Sequence, residues 1–211
     1  NNFSYFFINF IKNINSFQMK KQILISLFII LSNNLYCQVK KNISLSESTV
    51  KWIGEKITGG QHDGTVNLLN GNFIFKNNIL IGGEFTIDMN TITCLDIENP
   101  KYANKLVAHL KDEDFFATNK FPTSSFVISN VVYDGKSYMI TGDITIRGLS
   151  QEITFSTDFH NDEKTFIADA TIAIDRTKHD VKHRSKYFFD DLGDRIINDE
   201  FIIKVHLETI K

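Results

Sequence analysis

Near the C-terminus, Phe201, Ile203, Val205 and Leu207 alternate with Ile202, Lys204, His206 and Glu208. Successive side chains of a strand point to opposite faces, so this period of two dictates a strand with one apolar side. The pattern recurs. Ile172 and Ile174 stand between Thr171, Ala173 and Asp175, and Ile153 is followed two residues later by Phe155. A chain that offers one apolar face in strand after strand is expected to close its sheet, and a closed sheet encloses either its own side chains or one small ligand.

The N-terminal region has a different character. Met19-Lys20-Lys21 precedes an apolar run from Ile23 to Leu31, and Leu35-Tyr36-Cys37 stands just before Gln38. A basic start, a short apolar segment and a polar exit form the pattern of a secretory signal peptide, here residues 19–37. The apolar run falls short of the roughly 20 residues a bilayer-spanning helix needs. Residues 1–18 are almost entirely Asn, Phe, Ile, Lys, Tyr and Ser and read as a translated upstream segment outside the fold. Cleavage near Cys37/Gln38 predicts a periplasmic or secreted protein. It removes three lysines and no acids, taking the formal charge from -2 to -5. A mildly acidic chain argues against a nucleic-acid partner, whose recognition needs a basic face. Only Cys94 remains after cleavage, so stability must come from packing and ladder hydrogen bonds.

After a polar lead-in, strands are expected at 49–57, 65–76 and 79–89, with Gly59 to Gly64 as a glycine-rich turn between the first two. Asn77-Asn78 suits a tight hairpin because both residues tolerate positive φ. The period then changes. Asn99 and Pro100 form an N-cap and N1 pair, and Tyr102, Leu106 and Leu110 recur every four residues, which predicts a short helix from Pro100 to about Leu110. Asp114-Phe115-Phe116 reads as a turn whose rings plug the barrel or pack on its side. Further strands are expected at 124–132, 137–147, 151–159, 165–175 and 200–210. The fold class is therefore all-β: one antiparallel eight-stranded barrel with a helix inserted after the third strand.

The nucleophile elbow, the phosphate-binding loop and the dinucleotide fingerprint are absent. His179 and His183 flank Asp180 at a spacing that suits a metal only on a helix, and the charged run from Arg176 to Lys186 reads as a solvated loop, so no metal site is assigned. Arg176, Lys178, Lys182, Arg184 and Lys186 make a basic rim, suited to a phosphate head group or to ordinary loop solvation. His62 is read as bracing its turn or binding a polar group. Cys94 is read as a packing residue because nothing nearby lowers its pKa. An enzymatic alternative, a hydrolase or isomerase, would use His62 or His109 with Asp114 as acid and base.

Several segments together carry a resemblance. Val50-Lys51-Trp52-Ile53-Gly54, Gly60 to Thr65, His109 to Phe116, Phe121-Pro122-Thr123 and Gly142 to Gly148 occur in that order. This set resembles the YceI-like, polyisoprenoid-binding family, and the stretch from Ile174 to Phe201 looks like its Bacteroidetes-type version. The resemblance covers about residues 48–211. It implies a lipocalin-like barrel that holds a long isoprenoid chain, a polyprenyl phosphate or quinone-like lipid, as a carrier or reservoir without cofactor or catalytic residues. A packed envelope stress protein without ligand is the other alternative. On that implication Trp52, Phe73, Phe75, Phe85, Phe126 and Phe155 are candidates for the apolar lining, although the sequence leaves the inward face undecided. His62, Arg147, Arg176, Lys178 and Arg184 are candidates for the head group. Transient membrane contact and a homodimer stay open as partners.

Overall fold

The computed structural model describes residues 38–162 and 165–211. The expected upstream segment and signal peptide, residues 1–37, lie outside the described residues. In chain order the strands are β1 (Gln38–Asn42), β2 (Thr49–Glu55), β3 (Gln61–Lys76), β4 (Ile79–Asp88), β5 (Thr123–Tyr133), β6 (Tyr138–Ile146), β7 (Leu149–Asp162), β8 (Thr165–Asp175) and β9 (Glu200–Glu208). The helix α1 (Pro100–Lys111) stands between β4 and β5.

From β2 to β9 each strand pairs antiparallel with the next, and β9 pairs back onto β2. The result is the expected closed, lipocalin-like barrel of eight strands. The polar lead-in is, however, a ninth strand. The Ile43 amide donates to the Gly71 carbonyl at 2.9 Å, and the Ser44 and Ile210 amides donate to the Glu208 and Asn42 carbonyls at 2.7 and 2.8 Å. Thus β1 continues the slot of β2 between β3 and the end of β9. Backbone bonds hold it there, so its polar side chains give no apolar signal.

The barrel has two unlike ends. At one, which we call the turn end, β3 joins β4 through Asn77 and Asn78, both at positive φ (53° and 62°). This is the two-residue turn expected from the Asn pair, and its twist matches that of the strands. At the opposite, cap end lie α1 and the 176–199 segment. Asn99 caps α1, its side chain accepting from the Lys101 amide at 3.0 Å, with Pro100 in the first turn. The helix buries Leu110 and packs Leu106 against the core cluster that includes Val50, Met89 and Ile92.

The glycine-rich turn is shorter than expected. His62 and Asp63 already pair with Gly54 and Ile53, so β3 begins at Gln61 and the connection is residues 56–60. The reason lies across the sheet, where residues 92–96 run over this part of β3. Thr93 and Leu95 amides donate to the Thr65 and Asp63 carbonyls at 2.9 Å, and Trp52 Nε1 donates to the Thr93 carbonyl at 3.0 Å. Gly64 makes room for this strap, because a Cβ there would lie 1.9 Å from the Thr93 oxygen and 2.8 Å from Trp52 Nε1. Gly64→Ala is therefore expected to lower the unfolding free energy by about 1–3 kcal/mol, the usual cost of forced overpacking. Denaturant unfolding of the two proteins measures it.

Candidate functional site

The barrel encloses a cavity of about 220 Å³. Which face of each strand looks inward is now fixed. Phe201, Ile203, Val205 and Leu207 of β9 line it, as do Ala168, Ala170, Ile172 and Ile174 of β8 and Ile153, Phe155, Thr157 and Phe159 of β7. Of the sequence candidates, Trp52, Phe73, Phe85, Phe126 and Phe155 line the cavity. The Phe126 and Phe155 rings meet at 5.5 Å, and Phe126 lies where a Cβ on Gly142 would stand, 2.7 Å from its ring. Phe159 and Phe201 also line the wall and are absent from the sequence-derived set. Their spacing of four from Phe155 and two from Ile203 was the available signal.

Phe75 is buried but does not reach the cavity. It sits at the turn end with its ring 4.3 Å from Phe166 and 6.0 Å from Phe159, and Phe73 and Tyr138 each lie 5.3 Å from Phe159. Offset and edge-to-face pairs of this kind are favourable beyond the area they bury. These stacked rings close the turn end.

The cap end is built around Arg176. Its side chain is 4% exposed and lines the cavity. Nε donates to the Asn198 carbonyl at 2.9 Å, Nη1 to those of Val181 and His183 at 2.7 and 3.0 Å, and Nη2 to the Ile197 carbonyl at 3.0 Å and Asp199 at 3.2 Å. All five donors of the guanidinium have partners. Burial pushes its pKa down, while Asp199 and Asp175 oppose that shift. Residues 176–186 are therefore not the solvated loop the charges imply: Arg176, His179, Val181 and Ser185 are buried. His179 Nδ1 lies 2.9 Å from the Leu149 carbonyl. Its neighbours leave it no helix with His183, which stands elsewhere in the cap.

Arg147 has a similar role. At φ 51° it forms, with Gly148, the tight turn between β6 and β7, and its Nη1 donates to the carbonyls of Glu113 and Phe115. Lys178 is exposed and Arg184 half-buried. His62 stands on the strap side, 2.8 Å from Asp96, away from the cavity lining. Burial pushes the Asp96 carboxyl up, but His62, the Asp63 amide and Cys94 together hold it below the usual range. Burial and then Asp96 push the Cys94 thiol up, consistent with a packing residue.

Of the two acid–base pairs considered from sequence, the one with His62 is separated, whereas the one with His109 comes together. His62 pairs with Asp96, while His109 Nε2 lies 3.6 Å from Asp114 and His183 Nδ1 lies 3.5 Å from the same oxygen. Phe115, beside this group, and Phe116 line the cavity, as the turn reading allowed. Two further polar atoms matter to the cavity. Ser124 and Thr157 line it, and their hydroxyls are buried without a hydrogen-bond partner among the described residues.

Two outcomes follow from the cap. Arg176→Ala leaves the half-buried Asp199 carboxylate and four carbonyls short of donors, and is expected to cost about 3–5 kcal/mol in denaturant unfolding. For His179 the folded pKa is depressed, first by burial and by the nearby Lys178, with the Leu149 and Ile146 carbonyls and Asp175 pulling upward. A depressed pKa gives stability that is complete above 6.5, the ordinary value, and is lost as pH falls through the folded-state value. The melting temperature should fall below that pH, and His179→Phe should make the fall shallower; an unchanged slope would show that the ring does not titrate with folding.

Comparison with known proteins matches this architecture. The YceI-like domain model covers residues 42–209. Protein YceI of Shigella flexneri is 30% identical over 91 residues, 43% of this chain and 45% of that protein. A UPF0312 protein of Photorhabdus laumondii is 30% identical over 56 residues, 26% of this chain and 29% of that protein. The chain thus spans less than half the length of these curated relatives. Among solved structures, BcnA of Burkholderia cenocepacia superposes with a TM-score of 0.63 at 21% identity, covering 80% of this chain and 99% of that one. A polyisoprenoid-binding domain from Saccharophagus degradans, implicated in plant cell wall breakdown, gives 0.60 at 10% identity, covering 80% and 96%. At these identities the two structures speak for the shared barrel alone. With its barrel, its inserted helix and the family match running from β1 to the end of the last strand, the chain belongs to the YceI-like domain family.

Proposed function

We propose that this protein binds an isoprenoid lipid in its barrel, as a carrier or reservoir outside the cytoplasm. The observation that carries the reading is the cavity itself, a hollow of about 220 Å³ lined by apolar side chains from all eight barrel strands. The S. degradans domain, named for polyisoprenoid binding, shares the barrel and supports the same class of ligand. The signal-peptide pattern at residues 19–37 supports a periplasmic or secreted location.

The chemistry of the wall selects a tail more strongly than a head. Burying a tail from water gains up to about 0.8 kcal/mol per CH₂, and rigid rings offer contact area with little entropy to lose. Arg176, the charged group at the wall, is committed to protein acceptors, so a phosphate gains little from it. A quinone-like or neutral head fits the unpartnered Ser124 and Thr157 hydroxyls better than a diphosphate does.

Native mass spectrometry after incubation with geranylgeraniol, a short-chain quinone and a polyprenyl phosphate tests this. One lipid per chain is expected. Ala170→Phe, which places a ring in the hollow, and Phe155→Asp, which places a charge there, should each reduce loading at least tenfold while circular dichroism stays unchanged. A wild-type barrel that takes up none of the three, or variants that load as well as wild type, would refute the proposal.

A further inference from the structure

We infer that His109, Asp114 and His183 form a binding site for a divalent transition-metal ion of the zinc class, independent of what the cavity holds. The three ligand atoms lie within 4.8 Å of one another. Asp114 Oδ2 is 3.6 Å from His109 Nε2 and 3.5 Å from His183 Nδ1. These separations are long for hydrogen bonds but close to the edge of a coordination tetrahedron, about 3.4 Å for bonds near 2.1 Å. Two imidazoles and one carboxylate form a borderline-soft donor set that suits zinc, cobalt or iron(II) and leaves a fourth position open.

The surrounding fold holds two of the ligands in place. Arg147 Nη1 donates to the carbonyls of Glu113 and Phe115, on either side of Asp114. Arg176 Nη1 donates to the carbonyl of His183 itself. His109 projects from the last turn of α1, and its ring stands edge-on to both His183 and Phe115 at 4.8 and 4.9 Å. Only His109 has to move, closing on His183 by about 1.4 Å, from 4.8 Å to the tetrahedral edge, to meet ordinary zinc–nitrogen lengths. The ring is 40% exposed and has room to do so.

Most of the cations nearby are paired with carboxylates, while Arg184 lies close enough to act on His183 and works against a metal there. Arg147 and Lys182 share Asp180, at 3.7 and 2.6 Å, and Arg176 pairs with Asp199. His183 Nε2 is buried with no partner. A ligating histidine normally donates that second N–H, and lacking the acceptor costs roughly 10–100-fold in affinity. The site is therefore expected to bind more weakly than a structural zinc site. Occupied, it would tie the end of α1 to the 176–199 segment across the cap.

The test is calorimetric titration of the untagged protein with zinc, and with cobalt monitored by its visible absorption. One equivalent should bind, with a cobalt spectrum of tetrahedral or five-coordinate type. Asp114→Asn and His183→Phe should each weaken binding at least tenfold, and His62→Ala should leave it unchanged. Asp114 is exposed, so its variant reports on binding even where His183→Phe fails to fold. Absence of binding by the wild type, equal binding by Asp114→Asn, or loss of binding in His62→Ala would overturn the inference.

Discussion

The closure of the sheet depends on the length of one strand. β3 runs for 16 residues, enough to pair with β2 over its first part and with β4 from Asn67 onward. A shorter strand would leave two free edges, each a row of unpaired amides and carbonyls. Because β3 reaches both neighbours, and β1 pairs along its second half, the sheet closes on itself and each barrel strand has an inside face. The inside face must then be apolar, since a polar group there has only its wall to bond to. Ser124 and Thr157 are the two hydroxyls that depart from this rule in the lining, which is why they bear on the choice of ligand.

From closure follows a division of labour between the ends. The turn end is fixed by aromatic stacking and tight hairpins, interactions local to neighbouring strands. The cap end is made of two long segments that share no ladder with each other, so something else must join them. Two arginines each order one segment by donating to its main-chain carbonyls, and Arg147, whose Nη2 lies 3.7 Å from Asp180, links the two. Arg176 gathers residues 181–183 and 197–199, and Arg147 gathers 113–115. A guanidinium suits this task because it holds several donors in one plane and keeps its charge where a lysine would tend to lose it.

Much of the barrel was legible in the period-two pattern, and the hairpin and helix caps were legible in Asn77-Asn78 and Asn99-Pro100. The direction of each face was not, because bulges shift it. Val66 and Leu68 face inward, yet so does Phe73, five residues on, because the register slips between Leu68 and Asn70. β5 slips likewise between Ile128 and Asn130. A bulge adds one residue without leaving a clear mark in composition. The role of Arg176 was hidden for another reason: it lies in a run of charges, while three of its acceptors come from residues 197–199, about 20 positions later. The His109, Asp114 and His183 group was hidden in the same way, with its third member more than 60 residues from the other two.

The two kinds of closure also bear on how a ligand would enter. At the turn end, passage requires breaking ring stacks and backbone ladders together, a cost spread over several strands. At the cap end it requires only that segments without a shared ladder part, with Arg176 and Arg147 as the restraints. On the proposed reading, a tail drawn from a bilayer would already be out of water, so the barrel would gain little by burying it again, and the exchange would depend on this restraint. A carrier of that kind must be loose enough to open and closed enough to keep its cargo dry. On the proposed reading, the cap, held by a few charged donors over an apolar interior, is the end that would open.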